Sequence, residues 1–179
     1  KNFDPQHSVT DVDVCMHAGL GPIRVSQSTA SMVVYLDETH PIIFATGTSA
    51  PCTSIFKPFW MDAASGLNLG LAPTSHADSS LYWTHEKLHR ATLLNYPERI
   101  KTYAADRDEL ETRFIQGALK LQHASARDRA DFTNQCLAES AAAEAEWLKR
   151  VEAVPAKKSF LHSMAWNGFN QKAKLVMEK

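Results

Sequence analysis

The segment Tyr82–Arg90, YWTHEKLHR, lies where the apolar residues of the chain change from an alternating to a helical spacing. From Ser80 onward they fall on one stripe of a helix, which Pro97 must stop or kink. In the first third of the chain they have the spacing of strands instead. The order of the two patterns predicts an α+β fold in which strands come first and helices follow as a separate layer.

Three short segments near the start have the pattern of strands. Residues 12–18 alternate between two faces, residues 30–36 place Met32, Val34 and Leu36 on one face and Ser31, Val33 and Tyr35 on the other, and residues 41–47 form a short apolar run. The sequence DETH between the last two has the chemistry and length of a hairpin loop. Residues 48–79 are rich in Ser, Thr, Pro and Gly, which predicts a long irregular connection. Residues 1–79 are therefore expected to supply antiparallel strands and a long loop.

Residues 80–179 are expected to form a helical layer of the same larger domain. Ser125, with an acidic residue three positions later, forms a capping box that starts a long helix, and Pro155 ends it. Cys136 lies on the apolar stripe of that helix, which indicates a role in core packing. A last helix is predicted over residues 159–178.

The composition argues against several classes of function. Lys and Arg number 19 and Asp and Glu number 20, so no net charge attracts nucleic acid or an anionic membrane. No apolar run approaches the length of a membrane span. Cys15, Cys52 and Cys136 are odd in number and far apart, which argues against a disulfide framework and favours a reducing compartment. We therefore expect a cytoplasmic protein without nucleic-acid or membrane partners and without a cofactor.

The string HEKLH inside the opening segment has the spacing of a zinc-binding helix. His85 and His89 lie one helical turn apart, Glu86 would activate a water as general base, and Glu109 on the next helix is available as a third ligand. This hypothesis makes the chain a zinc metalloprotease. The competing interpretation is structural: the histidines cover the edge of the core, and Glu86 pairs with Arg90.

Other segments resemble the secernins and their relatives among the cysteine dipeptidases. They are VCMHAG (Val14–Gly19), SQSTASMVVYL (Ser26–Leu36) and FATGTSAPCTSIFKPF (Phe44–Phe59). The HEKLH string and the run Asp106–Glu111 also look like helices of that family, so the resemblance covers roughly residues 12–115, with SIFKPF as its most specific part. It implies an N-terminal-nucleophile hydrolase with an αββα sandwich. In such an enzyme a cysteine at the start of the mature chain attacks an amide bond and forms an acyl-enzyme.

The resemblance implies that the nucleophile lies outside this chain. The first residue is Lys1, and Cys15 lies in a predicted strand, where its peptide nitrogen is not a base. Cys52 is interpreted as a loop thiol, because no His or Asp accompanies it within its own segment. We therefore expect the C-terminal part of a peptidase that acts on peptides or small amides. Its partner would be the N-terminal half of the same protein.

Four residues are candidates for contact with a substrate, namely His17, Arg24, Ser26 and Thr29, at strand ends or in the GLGPIR turn. Arg24 could hold a peptide carboxylate with a bidentate fork. A non-catalytic interaction protein of the same lineage is the alternative, since a fold alone does not establish chemistry. If strands are missing, an unpaired edge at Val12–Ala18 favours a second chain or a homo-oligomer.

Overall fold

Strands and helices are segregated along the chain, which confirms the α+β prediction. A computed structural model describes residues 15–18, 26–157 and 160–175. The strands are β1 (Met32–Tyr35), β2 (Ile42–Ala45) and β3 (Lys57–Phe59), and the α-helices are α1 (Leu81–Leu93), α2 (Tyr96–Arg99), α3 (Ala104–Leu121), α4 (Ala126–Ala153) and α5 (Phe160–Lys172). Short 3₁₀ turns lie at Pro51–Thr53, Met61–Gly66 and Ile100–Thr102.

The three strands form one antiparallel sheet in the order β1-β2-β3. The predicted hairpin between β1 and β2 is confirmed, and the Asp37 carboxylate accepts hydrogen bonds from the backbone N–H groups of Thr39 and His40 in its turn. Strand β3 lies inside the segment that we predicted to be irregular, so that prediction is wrong for these residues. The strand has only three residues, one of them Pro58, and this combination gives no alternating pattern to detect.

The predicted strand over residues 12–18 is also not found where the structure describes it. Residues 15–18 have no strand conformation, and residues 12–14 lie outside the described part of the chain. Instead, the Met16 carbonyl accepts from the Ser28 N–H at 2.8 Å, and the Met16 N–H donates to Ser28 Oγ at 3.0 Å. These local bonds fix the segment without a strand ladder.

The main core lies between α1, α3 and α4. Its buried side chains are Ile55, Leu88, Ala91, Tyr103, Leu110, Phe114, Cys136, Trp147 and Val151. The rings of Tyr103 and Trp147 stack at 5.2 Å between centroids. Cys136 is fully buried, which confirms its predicted packing role.

Serine caps mark the start of two core helices, α1 and α4. Ser80 accepts from the backbone N–H of Trp83 at the start of α1, and Ser125 accepts from that of Asp128 at the start of α4. Each cap contributes about 1 kcal/mol to helix stability. Helix α4 ends at Ala153, two residues before Pro155, as the sequence predicts.

The sheet packs on the helices through a second core of Ile42, Phe44, Trp60, Ala63, Ala118 and Ala130. Strand β1 takes little part in it. Met32, Val33, Val34, Tyr35 and Leu36 are between 38% and 83% exposed, so apolar side chains on both faces of β1 meet solvent. The outer edge of β1 also has no strand partner among the described residues. One open edge of this sheet therefore lies at β1, whereas residues 15–18 of the predicted edge Val12–Ala18 form no strand.

Within the described part of the chain, no helix has both the length and the apolar character needed to cross a membrane.

Candidate functional site

Helix α1 buries a charged group on the side that meets the loop after β2. The Glu86 carboxylate accepts from Arg90 Nε at 2.7 Å through one oxygen. Through the other it accepts from Ser49 Oγ and lies 3.3 Å from His89 Nδ1. Both oxygens of a buried carboxylate are thus satisfied, as a stable buried charge requires. The expected pairing of Glu86 with Arg90 is confirmed.

The protonation states of this group follow from its surroundings. Burial alone would raise the pKa of Glu86, but the hydrogen bonds from His89 and Ser49 and the charge of Arg90 hold its pKa at about 2. Burial lowers the pKa of His89, so this imidazole is neutral near pH 7. The ionised Glu86 is the strongest acceptor near Nδ1, so we assign the His89 proton to Nδ1.

The other ring nitrogen of His89, Nε2, is buried together with the rest of the side chain. With the proton on Nδ1, Nε2 is an acceptor, and it has no hydrogen-bond partner among the described residues. The amide of Gln27 approaches the ring only at Nδ1, at 3.5 Å. The ring packs edge-on against Trp166, with 5.9 Å between centroids.

A cleft of about 280 Å³ opens beside this group, lined in part by Gln27, Tyr82, Glu86, Arg90, Trp166 and Lys172. The guanidinium of Arg90 is held in its wall. It lies 5.2 Å from the centre of the Trp166 ring, and its Nη1 donates to Asn170 Oδ1 at 2.7 Å. A cation, a carboxylate and aromatic surface therefore border one small cavity.

His85, one turn earlier on α1, has different partners deep in the core. Its Nδ1 lies 2.8 Å from Glu144 Oε1 on α4, and its Nε2 lies 3.3 Å from Thr53 Oγ1. The fully buried Lys57 is close by and donates from Nζ to the Ile55 carbonyl at 2.7 Å. Burial lowers the pKa of Lys57 to about 8, although the negative charge of Glu144 opposes this effect.

The structure does not support the zinc hypothesis for the HEKLH string. His85 and His89 each face a carboxylate of their own, from Glu144 and Glu86 respectively. Glu109 is exposed on α3 and borders a different surface cleft. Among the described residues, His85, His89 and Glu109 do not come together as a ligand group. The two histidines of the HEKLH string make buried polar contacts of α1 instead.

A second group, formed by Cys15, His17 and Cys52, brings two segments of the chain together. Its two sulfur atoms and one ring nitrogen all lie within 4.8 Å of one another. Cys52 Sγ is 3.2 Å from His17 Nε2. Cys52 is exposed in a 3₁₀ turn that follows Ala50, whose φ of 46° places it in the left-handed region. The hydrogen bond from the Cys52 thiol lowers the pKa of Cys15 to about 4, and the same contact raises the pKa of Cys52.

Sequence reasoning missed this group because its members are far apart in the chain. We interpreted Cys52 as a loop thiol without a histidine, and the histidine comes from 35 positions away. The available signal was the pair Cys15 and His17, since residues two apart can share one side of an extended segment.

Among the described residues, those predicted to contact a substrate do not lie together in one site. His17 is buried and belongs to the cysteine group. Ser26 and Thr29 are exposed and are not part of the lining of the cleft beside Arg90. Arg24 lies outside the described residues.

Comparison with known proteins gives no relative for this chain. No protein-family model, curated protein or solved structure matches it. The resemblance to the secernins consequently rests on the quoted segments alone.

Proposed function

We propose that this chain is the C-terminal part of a secernin-like cysteine peptidase with an αββα sandwich. In this proposal the nucleophile lies on a segment outside the chain, and the chain binds and orients a peptide for amide-bond hydrolysis. The observation that carries the proposal is the Glu86–Arg90 ion pair in the wall of a cleft of about 280 Å³. Buried charges at a cavity are typical of binding sites.

The cleft has the chemistry that a dipeptide needs. A dipeptide at neutral pH carries an ammonium group, a carboxylate and side chains that are often apolar. Arg90 and Lys172 offer positive charge, Glu86 offers negative charge, and Trp166 offers an aromatic surface. The guanidinium of Arg90 has more N–H donors than its contacts with Glu86 and Asn170 use, so donors remain for a substrate carboxylate.

The reaction would follow the acyl-transfer scheme that the resemblance implies. A cysteine thiolate attacks the amide carbon, the C–N bond breaks, and the leaving amine takes up a proton. Water then attacks the thioester and releases the acid and the thiol. In this scheme His89 is a positioning residue, because its contact with Glu86 helps to hold the carboxylate that fixes Arg90.

The open edge at β1 supports the sandwich part of the proposal. Both faces of β1 expose apolar side chains, and backbone groups at its outer edge are available to another strand. A sandwich would pair this edge with a further strand and cover it with a second layer. The N-terminal half of the same protein is the proposed occupant.

The test starts from the complete reading frame of the gene. The proposal expects an upstream segment that begins with a cysteine after processing, and dipeptidase activity of the full-length protein. Replacing Arg90 with Lys should raise KM for dipeptides at least about tenfold, because a bidentate carboxylate contact is lost. Arg113→Lys, on the exposed face of α3, is the matched control and should leave KM unchanged. An upstream segment without a cysteine, or an Arg90→Lys enzyme with normal KM, contradicts the proposal.

The same exposed strand favours one second candidate, a non-catalytic interaction protein. A strand that is apolar on both faces is a site for β-strand addition by a partner. A full-length protein that lacks peptidase activity but binds a partner through β1 would support this candidate. A Val33→Lys substitution should then abolish that binding.

A further inference from the structure

We propose that Cys15, His17 and Cys52 form a zinc site whose fourth coordination position is open. The potential ligand atoms are two sulfurs and His17 Nε2, and they all lie within 4.8 Å of one another. The inference concerns a different set of residues from the Glu86–Arg90 pair, so it does not depend on the proposed peptidase function.

The spacing of the ligand atoms suits one face of a tetrahedron. Zinc lies about 2.3 Å from thiolate sulfur and about 2.0–2.1 Å from imidazole nitrogen. Tetrahedral angles then place two sulfurs about 3.8 Å apart, and a sulfur and a nitrogen about 3.6 Å apart. Cys52 Sγ and His17 Nε2 are 3.2 Å apart, and the largest separation in the group is no more than 4.8 Å. The Cys52–His17 pair must therefore open by about 0.4 Å to hold zinc. The upper bound of 4.8 Å accommodates the distances that zinc requires for the other two pairs.

The backbone already holds the two ligand segments together. The Ser28 N–H donates to the Met16 carbonyl at 2.8 Å, and the Ser28 carbonyl accepts from the Ala50 N–H at 2.9 Å. One residue thus ties the segment that carries Cys15 and His17 to the turn that carries Cys52. On the far side, Arg107 Nη1 donates to the Cys52 carbonyl at 2.6 Å. A site whose ligands are placed before the metal arrives loses less conformational entropy on binding.

The donor set selects the kind of metal. Thiolate and imidazole are soft or borderline ligands, which favour zinc over magnesium or calcium. Among the described residues no fourth His, Cys, Asp or Glu belongs to the group, and Cys52 is exposed. Three protein ligands with a position left for water or another molecule are typical of catalytic zinc, whereas structural zinc has four.

A Cys15–Cys52 disulfide is the competing use of the same thiols. A disulfide needs the sulfurs at about 2.05 Å and uses no imidazole. The imidazole of His17 is buried and directed at Cys52 Sγ, and this arrangement favours zinc binding over a disulfide. The disulfide is therefore an outcome of the test.

The experiment measures zinc binding by the reduced 179-residue chain after treatment with a chelator. Competition with a chromogenic zinc indicator should give one zinc per chain. Cobalt(II) in place of zinc should give a thiolate-to-cobalt charge-transfer band and the intense visible bands of a tetrahedral site. Cys15→Ser and Cys52→Ser should each weaken zinc binding more than about 100-fold, since loss of a mere supporting contact already costs 10–100-fold.

Matched variants make the result specific. His76→Ala removes an exposed histidine outside the group and should bind zinc as the wild type does. Both serine variants retain Cys136, so binding at that buried thiol would appear as zinc retained in both. Because Cys52 is exposed, we expect the Cys52→Ser chain to keep its fold, and the test does not depend on replacing the buried His17.

Three results would overturn the proposal. They are stoichiometric zinc in the Cys52→Ser chain, a cobalt spectrum without thiolate bands, and a Cys15–Cys52 disulfide in a chain that binds no zinc after reduction.

Discussion

Two histidine-bearing regions of this protein use imidazole in opposite ways. On α1, His85 and His89 each contact a buried carboxylate, and the contacts hold helices and loop together. At the turn before β3, His17 meets two thiols at a partly exposed position. The familiar metal motif lies in the first region, whereas the donor atoms suited to a metal lie in the second. The difference shows that the partners of a histidine, rather than the spacing of the histidines, decide what it does.

The largest expected effect on stability comes from removing the Glu144 carboxylate, which contacts His85. Glu144→Ala leaves the buried His85 without its charged partner and removes a negative charge near Lys57. Loss of one member of a buried pair should lower the free energy of unfolding by about 3–5 kcal/mol. Urea unfolding measures this change, and Glu146→Ala, an exposed position on the same helix, is the control. A loss below about 1 kcal/mol would contradict a structural role for the pair.

The loss of stability at acid pH should reveal the ionised state of Glu86 in the folded protein. Its pKa is about 2 in the folded protein and near 4.5 in the unfolded chain, so its contribution is complete above pH 4.5 and is lost as the pH falls toward 2. The wild type should lose about 3 kcal/mol over this interval that Glu86→Gln does not lose. Urea unfolding of both chains between pH 6 and 2 gives the difference. Parallel acid profiles of the two chains would show that Glu86 is not ionised as we describe.

Alkaline pH should reveal the buried Lys57. Its pKa is about 8 in the folded state against 10.5 unfolded, so between these values the unfolded chain binds more protons and stability rises with pH. Between pH 8 and 10 the wild type should gain about 2–3 kcal/mol relative to Lys57→Met. Thermal or urea unfolding of both chains at the two pH values checks the sign. A wild type that loses stability relative to Lys57→Met over this range would refute the assignment.

The smallest effect on stability is expected for a substitution in the group of Cys15, His17 and Cys52. Without metal, Cys52→Ser should change the free energy of unfolding by less than about 0.5 kcal/mol, because the side chain is exposed. With zinc at 100 times its dissociation constant, the wild type should gain about 2.7 kcal/mol and the variant should not. Unfolding curves with and without zinc separate the two contributions. A large loss in the metal-free variant would mean that the group serves the fold, as the α1 contacts do.

Local patterns predicted much of the helical half. The serines that cap α1 and α4, the proline that ends α4 and the contact between Glu86 and Arg90 all involve neighbours within one or two helical turns. The strands were predicted less well. Strand β3 is three residues long and contains proline, and residues 15–18 alternate like a strand without pairing as one. Strand formation depends on a partner elsewhere in the chain, so short strands leave weak local signals.

The sequence alone determined the order of strands and helices, the start of α1, both ends of α4 and the absence of a strong net charge, because these depend on composition and on neighbours within a few positions. Only the tertiary structure decided that His85 would meet Glu144, or that Cys52 would meet His17. Those contacts join segments separated by 59 and 35 positions. The chemistry of a site depends on distances of a few ångströms between side chains. Folding sets these distances for residues far apart in the chain, and local sequence periodicity carries no information about them.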